Sequence, residues 1–88
     1  MKITVYSTQS CPFCTMLTNW MDEKNMSYEE YKVDQNPEKA REMIQRSGQM
    51  GVPFTYIEAG DYHNGVLGFD PSAIEHSLVA SGAQNEAK

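Results

Sequence analysis

The pattern of apolar and polar positions predicts a strand and then a helix at the start of the chain. Residues 2–7, KITVYS, alternate apolar and polar side chains and include β-branched residues, as half-buried strands do. Over residues 12–24 the apolar side chains instead recur at the spacing of one helix face, at Phe13, Met16, Leu17, Trp20 and Met21. We expect Ser10 to cap this helix and Asn25 to end it.

A second strand and a second helix are predicted in the middle of the chain. Residues 27–34, SYEEYKVD, are rich in the aromatic and β-branched residues that favour strands. Asn36-Pro37 is typical of a helix start, because proline at the first helical position loses no hydrogen bond. Gly48 is typical of a helix end.

A third strand and a hairpin follow. Residues 53–59, PFTYIEA, predict the strand. The stretch AGDYHNG contains two turn signals, Gly60-Asp61 and Asn64-Gly65. A short strand around Val66-Leu67 would close the hairpin.

These elements, with a third helix from Asp70-Pro71, follow the order β-α-β-α-β-β-α and predict an α/β fold. A β-α-β unit demands a parallel strand pair with a right-handed crossover, and the hairpin adds an antiparallel pair. The simplest assembly is a four-stranded mixed sheet with helices on both faces. We expect one domain over residues 1–80 and a polar tail over residues 81–88, SGAQNEAK.

Composition and charge narrow the range of partners. The 88 residues carry a net charge of −5, whereas nucleic acids and anionic membranes are bound by basic surfaces, so we expect neither as a partner. No stretch approaches the roughly 18 apolar residues of a membrane span, and the N-terminus lacks the shape of a signal peptide. We therefore expect a cytoplasmic protein. As a separate expectation, we take it to be a monomer.

The two cysteines of the chain lie in the stretch SCPFCTML, and several uses for them can be weighed. A structural zinc site takes four ligands, but the histidines, His63 and His76, lack the spacing of a zinc motif. A disulfide between Cys11 and Cys14 closes too short a loop to stabilise the fold much. A chance pair is a further alternative, yet a position after a first strand and at a helix start is typical of a redox motif.

The redox interpretation gives a role to each residue of this pair and its spacer. Cys11, at the start of the helix, faces unpaired backbone N–H groups and the positive end of the helix dipole, which favour its thiolate. Cys14 lies one turn on, on the same side of the helix, and can resolve a mixed disulfide at Cys11. Pro12 fixes the turn between them, and Phe13 supplies an apolar surface beside the site.

A second candidate element is GVPF, residues 51–54, where the third strand begins. Proline is allowed as the first residue of a strand, and most X–Pro bonds are trans, so the local sequence alone favours an ordinary trans-Pro53. The functional alternative is a cis-Pro53 with the N–H and C=O of Val52 turned outward to pair with an extended substrate.

Three stretches together resemble the glutaredoxin family of the thioredoxin-fold superfamily: SxxxCPFC after the first strand, RSGQMGVPF and GVLGFDPSAI. The resemblance covers about residues 2–80, and CPFC is close to the family's usual C-P-Y-C. It implies a thioredoxin-like fold, Cys11 as the nucleophile, Cys14 as the resolving thiol and a cis-Pro53. Gly51 stands where the family's T-V-P stretch has threonine.

The departures from the family pattern concern the electron donor. Members that use glutathione often carry a lysine where this chain has Thr8, and a G-G-C-D-D-like stretch where it has LGFDP. The resemblance implies that Gly68, Phe69 and Asp70 flank the groove and would hold a glutathione carboxylate at the start of the third helix. The Gly-Phe-x-Pro pattern is similar instead to redoxins that serve ribonucleotide reductase, although their cysteine motif usually lacks the proline that Pro12 provides.

The sequence therefore predicts a glutaredoxin-like thiol–disulfide oxidoreductase of cell redox homeostasis that reduces protein or glutathione mixed disulfides through its C-x-x-C motif. We expect no tightly bound cofactor, glutathione as a candidate cosubstrate, and disulfide-bearing proteins as partners. One alternative is a redoxin recycled by thioredoxin reductase, for example as an electron donor to ribonucleotide reductase. The other is an iron–sulfur scaffold using Cys11 of two chains, which Pro12 disfavours because cluster-binding relatives tend to have small residues there.

The AGDYHNG hairpin, longer than is common, is expected to alter the rim of the site.

Overall fold

The computed structural model describes residues 1–81, and its elements follow the predicted order. In chain order they are β1 (Lys2–Ser7), α1 (Pro12–Glu23), β2 (Glu29–Lys32), α2 (Pro37–Ser47), β3 (Phe54–Ala59), β4 (Tyr62–Leu67) and α3 (Pro71–Ser81). Ser81, the first residue of the predicted tail, is the last residue of α3. The rest of that tail, residues 82–88, lies outside the described residues.

The four strands form one mixed sheet in the order β2-β1-β3-β4. β1 and β2 run parallel, which requires the crossover through α1, whereas β1 pairs antiparallel with β3 and β3 with β4. Tyr6 lies opposite Phe54, so the C-terminal end of β1 and the N-terminal end of β3 meet at the same end of the sheet. The predicted four-stranded mixed sheet is confirmed.

Alternation along β1 places helices on both faces of the sheet. Ile3 and Val5 point to one face, where they pack with apolar side chains of α1 and α3. Tyr6 points to the other face and packs with Met43 of α2 and Phe54 of β3. The larger core cluster, on the α1 and α3 side, contains the buried residues Ile3, Val5, Leu17, Met21, Ile57, Val66, Ile74 and Leu78. Helices on both faces are therefore confirmed.

Helix α2 begins and ends where the sequence predicts. Asn36 Oδ1 accepts a hydrogen bond from the Lys39 backbone N–H at 3.2 Å, and Pro37 fills the first helical position. Gly48 ends the helix with a φ of 72°, a left-handed conformation that glycine adopts without steric cost. These local signals fix where the loop toward β3 starts.

The hairpin between β3 and β4 turns at Gly60-Asp61, one of the two predicted turn signals. Ala59 and Tyr62 flank the turn as a pair of the strand ladder, and Gly60 has a φ of 61°, as the first residue of a tight two-residue loop requires. This turn lies at the opposite end of the sheet from the start of β3. The expected effect of a longer hairpin on the rim of the site is therefore wrong.

The second predicted turn, at Asn64-Gly65, is also wrong, because both residues lie inside β4 and pair with β3. Gly65 serves packing instead: a Cβ at this position would lie 2.5 Å from Cζ of Phe54. The Asn64 side chain donates to Ser77 Oγ of α3 at 2.6 Å. Contacts with other elements, rather than a turn, thus account for this Asn-Gly pair, and β4 is longer than predicted.

Two threonine hydroxyls are buried in the sheet without a hydrogen-bond partner among residues 1–81. They are Oγ1 of Thr4 in β1 and Oγ1 of Thr55 in β3. A buried hydroxyl without a partner costs roughly 1–3 kcal/mol. These threonines therefore contribute their branched shape to the strands, while their hydroxyls lower stability.

We expect Thr55→Val to raise the free energy of unfolding by about 1 kcal/mol, because valine keeps the branched shape and removes the unpartnered hydroxyl. Urea denaturation measures the change. Ser77→Ala is the matched control, since the buried Ser77 hydroxyl accepts the hydrogen bond from Asn64, and this variant should be less stable than the native protein. A loss of stability in Thr55→Val would show that its hydroxyl has a partner in solution.

Tyr6 joins α2 to the sheet through a polar network at its hydroxyl. The hydroxyl donates to the Glu42 carboxylate and accepts from Arg46 Nη1 at 2.8 Å. Arg46 also lies 4.4 Å from the centre of the Tyr56 ring. Burial raises the pKa of Tyr6, and the hydrogen bond from Tyr6 lowers the pKa of Glu42. Tyr6 is thus a packing residue of the α2 face.

We expect Tyr6→Phe to raise the pKa of Glu42, because the variant lacks the hydroxyl whose hydrogen bond favours the carboxylate. In the native protein the lowered pKa gives stability that is present above the unfolded pKa of about 4.3 and is lost as the pH falls through the folded pKa. Between about pH 5 and pH 2 the variant should therefore lose less stability than the native protein.

Carbon-13 NMR titration of the Glu42 carboxyl measures this pKa directly. Tyr31→Phe is the matched control, because the Tyr31 hydroxyl donates to Glu29 at 2.7 Å and its removal should leave the pKa of Glu42 unchanged. An equal pKa of Glu42 in Tyr6→Phe and the native protein would contradict the role of Tyr6.

Candidate active site

Cys11 occupies the N-cap position of α1, directly before Pro12 at the first helical position. The predicted cap at Ser10 is therefore wrong by one residue. Cys11 has extended backbone angles, φ −106° and ψ 103°, and its side chain takes the place of a capping oxygen. The backbone N–H of Cys14 donates to Cys11 Sγ at 3.1 Å.

This arrangement favours negative charge on the Cys11 sulfur. The Cys14 N–H points at the sulfur, and the positive end of the α1 dipole lies behind it. Pro12 has no N–H, so its position in the first turn leaves no donor unsatisfied. The predicted environment of Cys11 is thus seen in the structure, with the cysteine itself as the cap.

The two cysteines differ in exposure. Cys11 is partly exposed, whereas Cys14 is 1% exposed and packs on the inner side of α1. Their Cα atoms are 5.2 Å apart and their sulfurs are joined by a disulfide bond while Cys14 lies in α1. The site therefore contains one partly exposed cysteine bonded to a second, buried cysteine.

The Val52–Pro53 peptide bond is cis in the structure, and this segment lies at the same end of the sheet as the cysteines. β3 begins at Phe54, which pairs with Tyr6 near the end of β1, and Cys11 follows β1 after a short loop. Pro53 is buried and its C=O accepts the Gly68 N–H at 2.8 Å. The N–H and C=O of Val52 have no hydrogen-bond partner among residues 1–81, so they are open to an extended chain.

The three residues predicted to flank the groove have different surroundings. Gly68, with a φ of 87°, is held next to Pro53 by its N–H. Phe69 is half-buried and packs against the core cluster on the α1 and α3 side. The Asp70 carboxylate accepts the Ala73 N–H at 3.1 Å and so caps α3. The structure thus joins Gly68 to Pro53. Phe69 also packs in the core and Asp70 also caps α3, and the place of these two residues beside the groove stays a prediction.

Four exposed apolar side chains lie on the segments that meet at this end of the sheet. We call them the apolar rim: Phe13 (59% exposed), Met16 (46%), Met50 (76%) and Leu67 (55%). The sequence pattern places Phe13 and Met16 on the buried face of α1, which is wrong. The buried residues of this helix are instead Cys14, Leu17 and Met21, and Phe13 and Met16 lie beside this buried stripe. Exposed apolar side chains beside a reactive group are typical of a protein-binding surface.

The described part of the chain offers little for a metal ion. Within residues 1–81, no three or more His, Cys, Asp or Glu side chains come close enough together to hold one. None of the helices α1 to α3 has the length and apolar character needed to cross a membrane.

Two known proteins are similar to this chain, one in its sequence and the other in its structure. Glutaredoxin 3 of Escherichia coli (strain K12) is 35% identical over 58 residues, which are 66% of this chain and 70% of that protein. The structure of the glutaredoxin-like protein NrdH-redoxin from Escherichia coli matches with a TM-score of 0.68 at 30% identity, covering 86% of this chain and 93% of that one.

A thioredoxin-like protein of known crystal structure matches with a TM-score of 0.76 at 25% identity, over 88% of this chain and 100% of that one. The predicted thioredoxin-like fold is thereby confirmed. The sequence model of the family described as Glutaredoxin matches residues 3–62, which include both cysteines and the cis-proline and are more than half of the chain. The chain belongs to the glutaredoxin family, and Cys11 and Cys14 are the redox pair of a thiol–disulfide oxidoreductase.

Proposed function

We propose that the protein reduces disulfide bonds of other proteins, with Cys11 as the attacking thiolate and Cys14 as the resolving thiol. The observation that carries the proposal is the difference between the two sulfurs. Cys11 is partly exposed and its sulfur accepts the Cys14 N–H at 3.1 Å, whereas Cys14 is 1% exposed. A substrate can therefore approach Cys11, and Cys14 is placed to react with what Cys11 has bound.

The reaction consists of two thiol–disulfide exchanges. The Cys11 thiolate attacks one sulfur of the substrate disulfide, the substrate S–S bond breaks, and the other substrate sulfur leaves as a thiolate. Cys14 loses its proton to solvent and attacks the Cys11 sulfur of the mixed disulfide, which releases the second substrate sulfur. The substrate has gained two electrons and takes up two protons from solvent, and the Cys11–Cys14 disulfide remains.

The surroundings of the site support a protein substrate. The open N–H and C=O of Val52 match the backbone of an extended chain. The apolar rim adds exposed surface that a protein partner can bury, and Phe13 lies directly between the two cysteines in sequence. We place this activity in the cytoplasm, where thiols are kept reduced.

We expect Cys14→Ser to accumulate a mixed disulfide between Cys11 and a disulfide substrate, because the variant lacks the resolving thiol. Mass spectrometry of the pre-reduced variant after exposure to native insulin, whose chains are joined by disulfide bonds, measures the adduct. Cys11→Ser is the control and should form no adduct. If Cys14→Ser stays unmodified while Cys11→Ser is modified, the roles of the two cysteines are reversed.

The charges around the site favour thioredoxin reductase over glutathione as the electron donor. Glutathione carries two carboxylates, which bind best to positively charged groups. The segments that form the site, residues 8–16, 48–53 and 65–74, contain no lysine or arginine and one acidic residue, Asp70. The Asp70 carboxylate already accepts the Ala73 N–H at the start of α3. A similar protein, NrdH-redoxin, is described as having a thioredoxin-like activity profile.

We therefore expect NADPH consumption with insulin as the substrate to be at least about tenfold faster with thioredoxin reductase than with glutathione and glutathione reductase. Cys11→Ser should consume no NADPH in either system. Consumption with the glutathione system alone would overturn the proposed donor and keep the disulfide chemistry. No consumption in either system, with no reduction by pre-reduced protein, would overturn the function itself.

A further inference from the structure

The loop from α2 to β3, residues 48–53, is organised by the side chain of Gln49. Its amide forms two hydrogen bonds with the backbone of Gly51: the Gly51 N–H donates to Oε1, and Nε2 donates to the Gly51 oxygen at 3.2 Å. A donor and an acceptor are thus satisfied together, as in one residue pair of a strand ladder. The side chain of Gln49 occupies the place that a neighbouring strand would take beside Gly51.

Ser47, the last residue of α2, anchors this amide to the helix. Gln49 Nε2 donates to Ser47 Oγ at 3.1 Å, and the Gln49 N–H donates to the same oxygen at 3.3 Å. Ser47 Oγ in turn lies 2.6 Å from the backbone oxygen of Met43 in the preceding turn. The position of Gly51 is therefore tied through Gln49 to the end of α2.

The hydrogen bond to the Gly51 oxygen sets the direction of the Val52 N–H. The Gly51 C=O and the Val52 N–H belong to the same trans peptide unit, so they point in opposite directions. Because Gln49 Nε2 binds the Gly51 oxygen, the Val52 N–H points away from Gln49. Val52 lies at a bend before the cis peptide bond to Pro53, and no described residue hydrogen-bonds to its N–H or C=O.

Gly51 and Gln49 depend on each other. A Cβ at position 51 would lie 2.7 Å from Gln49 Oε1 and 3.5 Å from Leu67 Cδ1. A side chain at Gly51 would therefore displace the Gln49 amide, and the amide can bind both backbone groups because the position is a glycine. The glycine at this position is accounted for by packing against Gln49 rather than by a turn.

We propose that Gln49 is a positioning residue for substrate binding, which holds Gly51 so that the N–H and C=O of Val52 face the backbone of an extended disulfide substrate. This inference rests on the proposed function of the same site. It assigns Gln49 no contact with the substrate. The role is confined to substrates that have a peptide backbone beside the disulfide.

The test compares two substrates in single-turnover reactions of pre-reduced protein. One is a short unstructured peptide whose single cysteine is disulfide-bonded to 2-mercaptoethanol, and the other is bis(2-hydroxyethyl) disulfide, which has no peptide backbone. For Gln49→Ala we expect the peptide concentration at half-maximal rate to rise about three- to tenfold, with the maximal rate nearly unchanged. The rate with bis(2-hydroxyethyl) disulfide should equal that of the native protein. Gln45→Ala, which removes an exposed glutamine of α2, is the matched control and should leave both substrates unaffected.

A general distortion of the site would slow both substrates alike, and this result would overturn the inference. An unchanged peptide concentration at half-maximal rate in Gln49→Ala would also overturn the inference. Gly51→Ala provides an independent variant, since it keeps Gln49 but displaces its amide, and it should show the same selective loss for the peptide. In the Gln49→Ala background Gly51→Ala should have little further effect. Failure of the native protein to reduce either disulfide would count against the proposed function instead.

Discussion

The hydrogen bond from the Cys14 N–H to Cys11 Sγ is the interaction on which the rest of the site depends. It exists because Cys11 is the N-cap of α1, in an extended conformation, with Pro12 as the first helical residue. Burial of Leu17 and Met21 then fixes α1 against the sheet and keeps Cys14 on the inner side. The reactive sulfur, its stabilisation and the place of the second thiol thus follow from where one helix begins.

Elements that depend on local signals were predictable from the sequence. β1 and the ends of α2 lie where alternation, the Asn36-Pro37 start and Gly48 indicate, because these signals act within a few residues. The errors arise where a distant contact decides. Asn64-Gly65 has the composition of a turn, but a Phe54 ring from the neighbouring strand and a hydroxyl of α3 account for it. A turn signal carries no information about such partners.

The same difference between local signals and distant contacts applies to the active site. The motif alone indicates the chemistry of the cysteine pair, since a dithiol mechanism needs a second thiol within reach of the first and the C-x-x-C spacing supplies it. The open backbone groups of Val52, and the amide of Gln49 that leaves them open, depend on the path of a loop, which no residue pattern specifies. Likewise, the stretch LGFDP differs from the pattern of members that use glutathione and so bears on the electron donor. Only the structure shows that the Asp70 carboxylate already caps α3.

Gly65 connects the outer strand of the sheet to the redox site. It lies in β4, and a Cβ at this position would come within 2.5 Å of Cζ of Phe54, the residue next to the cis-proline. A substitution at Gly65 would therefore displace the first residue of β3, at the active-site end of the sheet. For redesign of this sheet, position 65 accepts a larger side chain only if Phe54 is changed together with it.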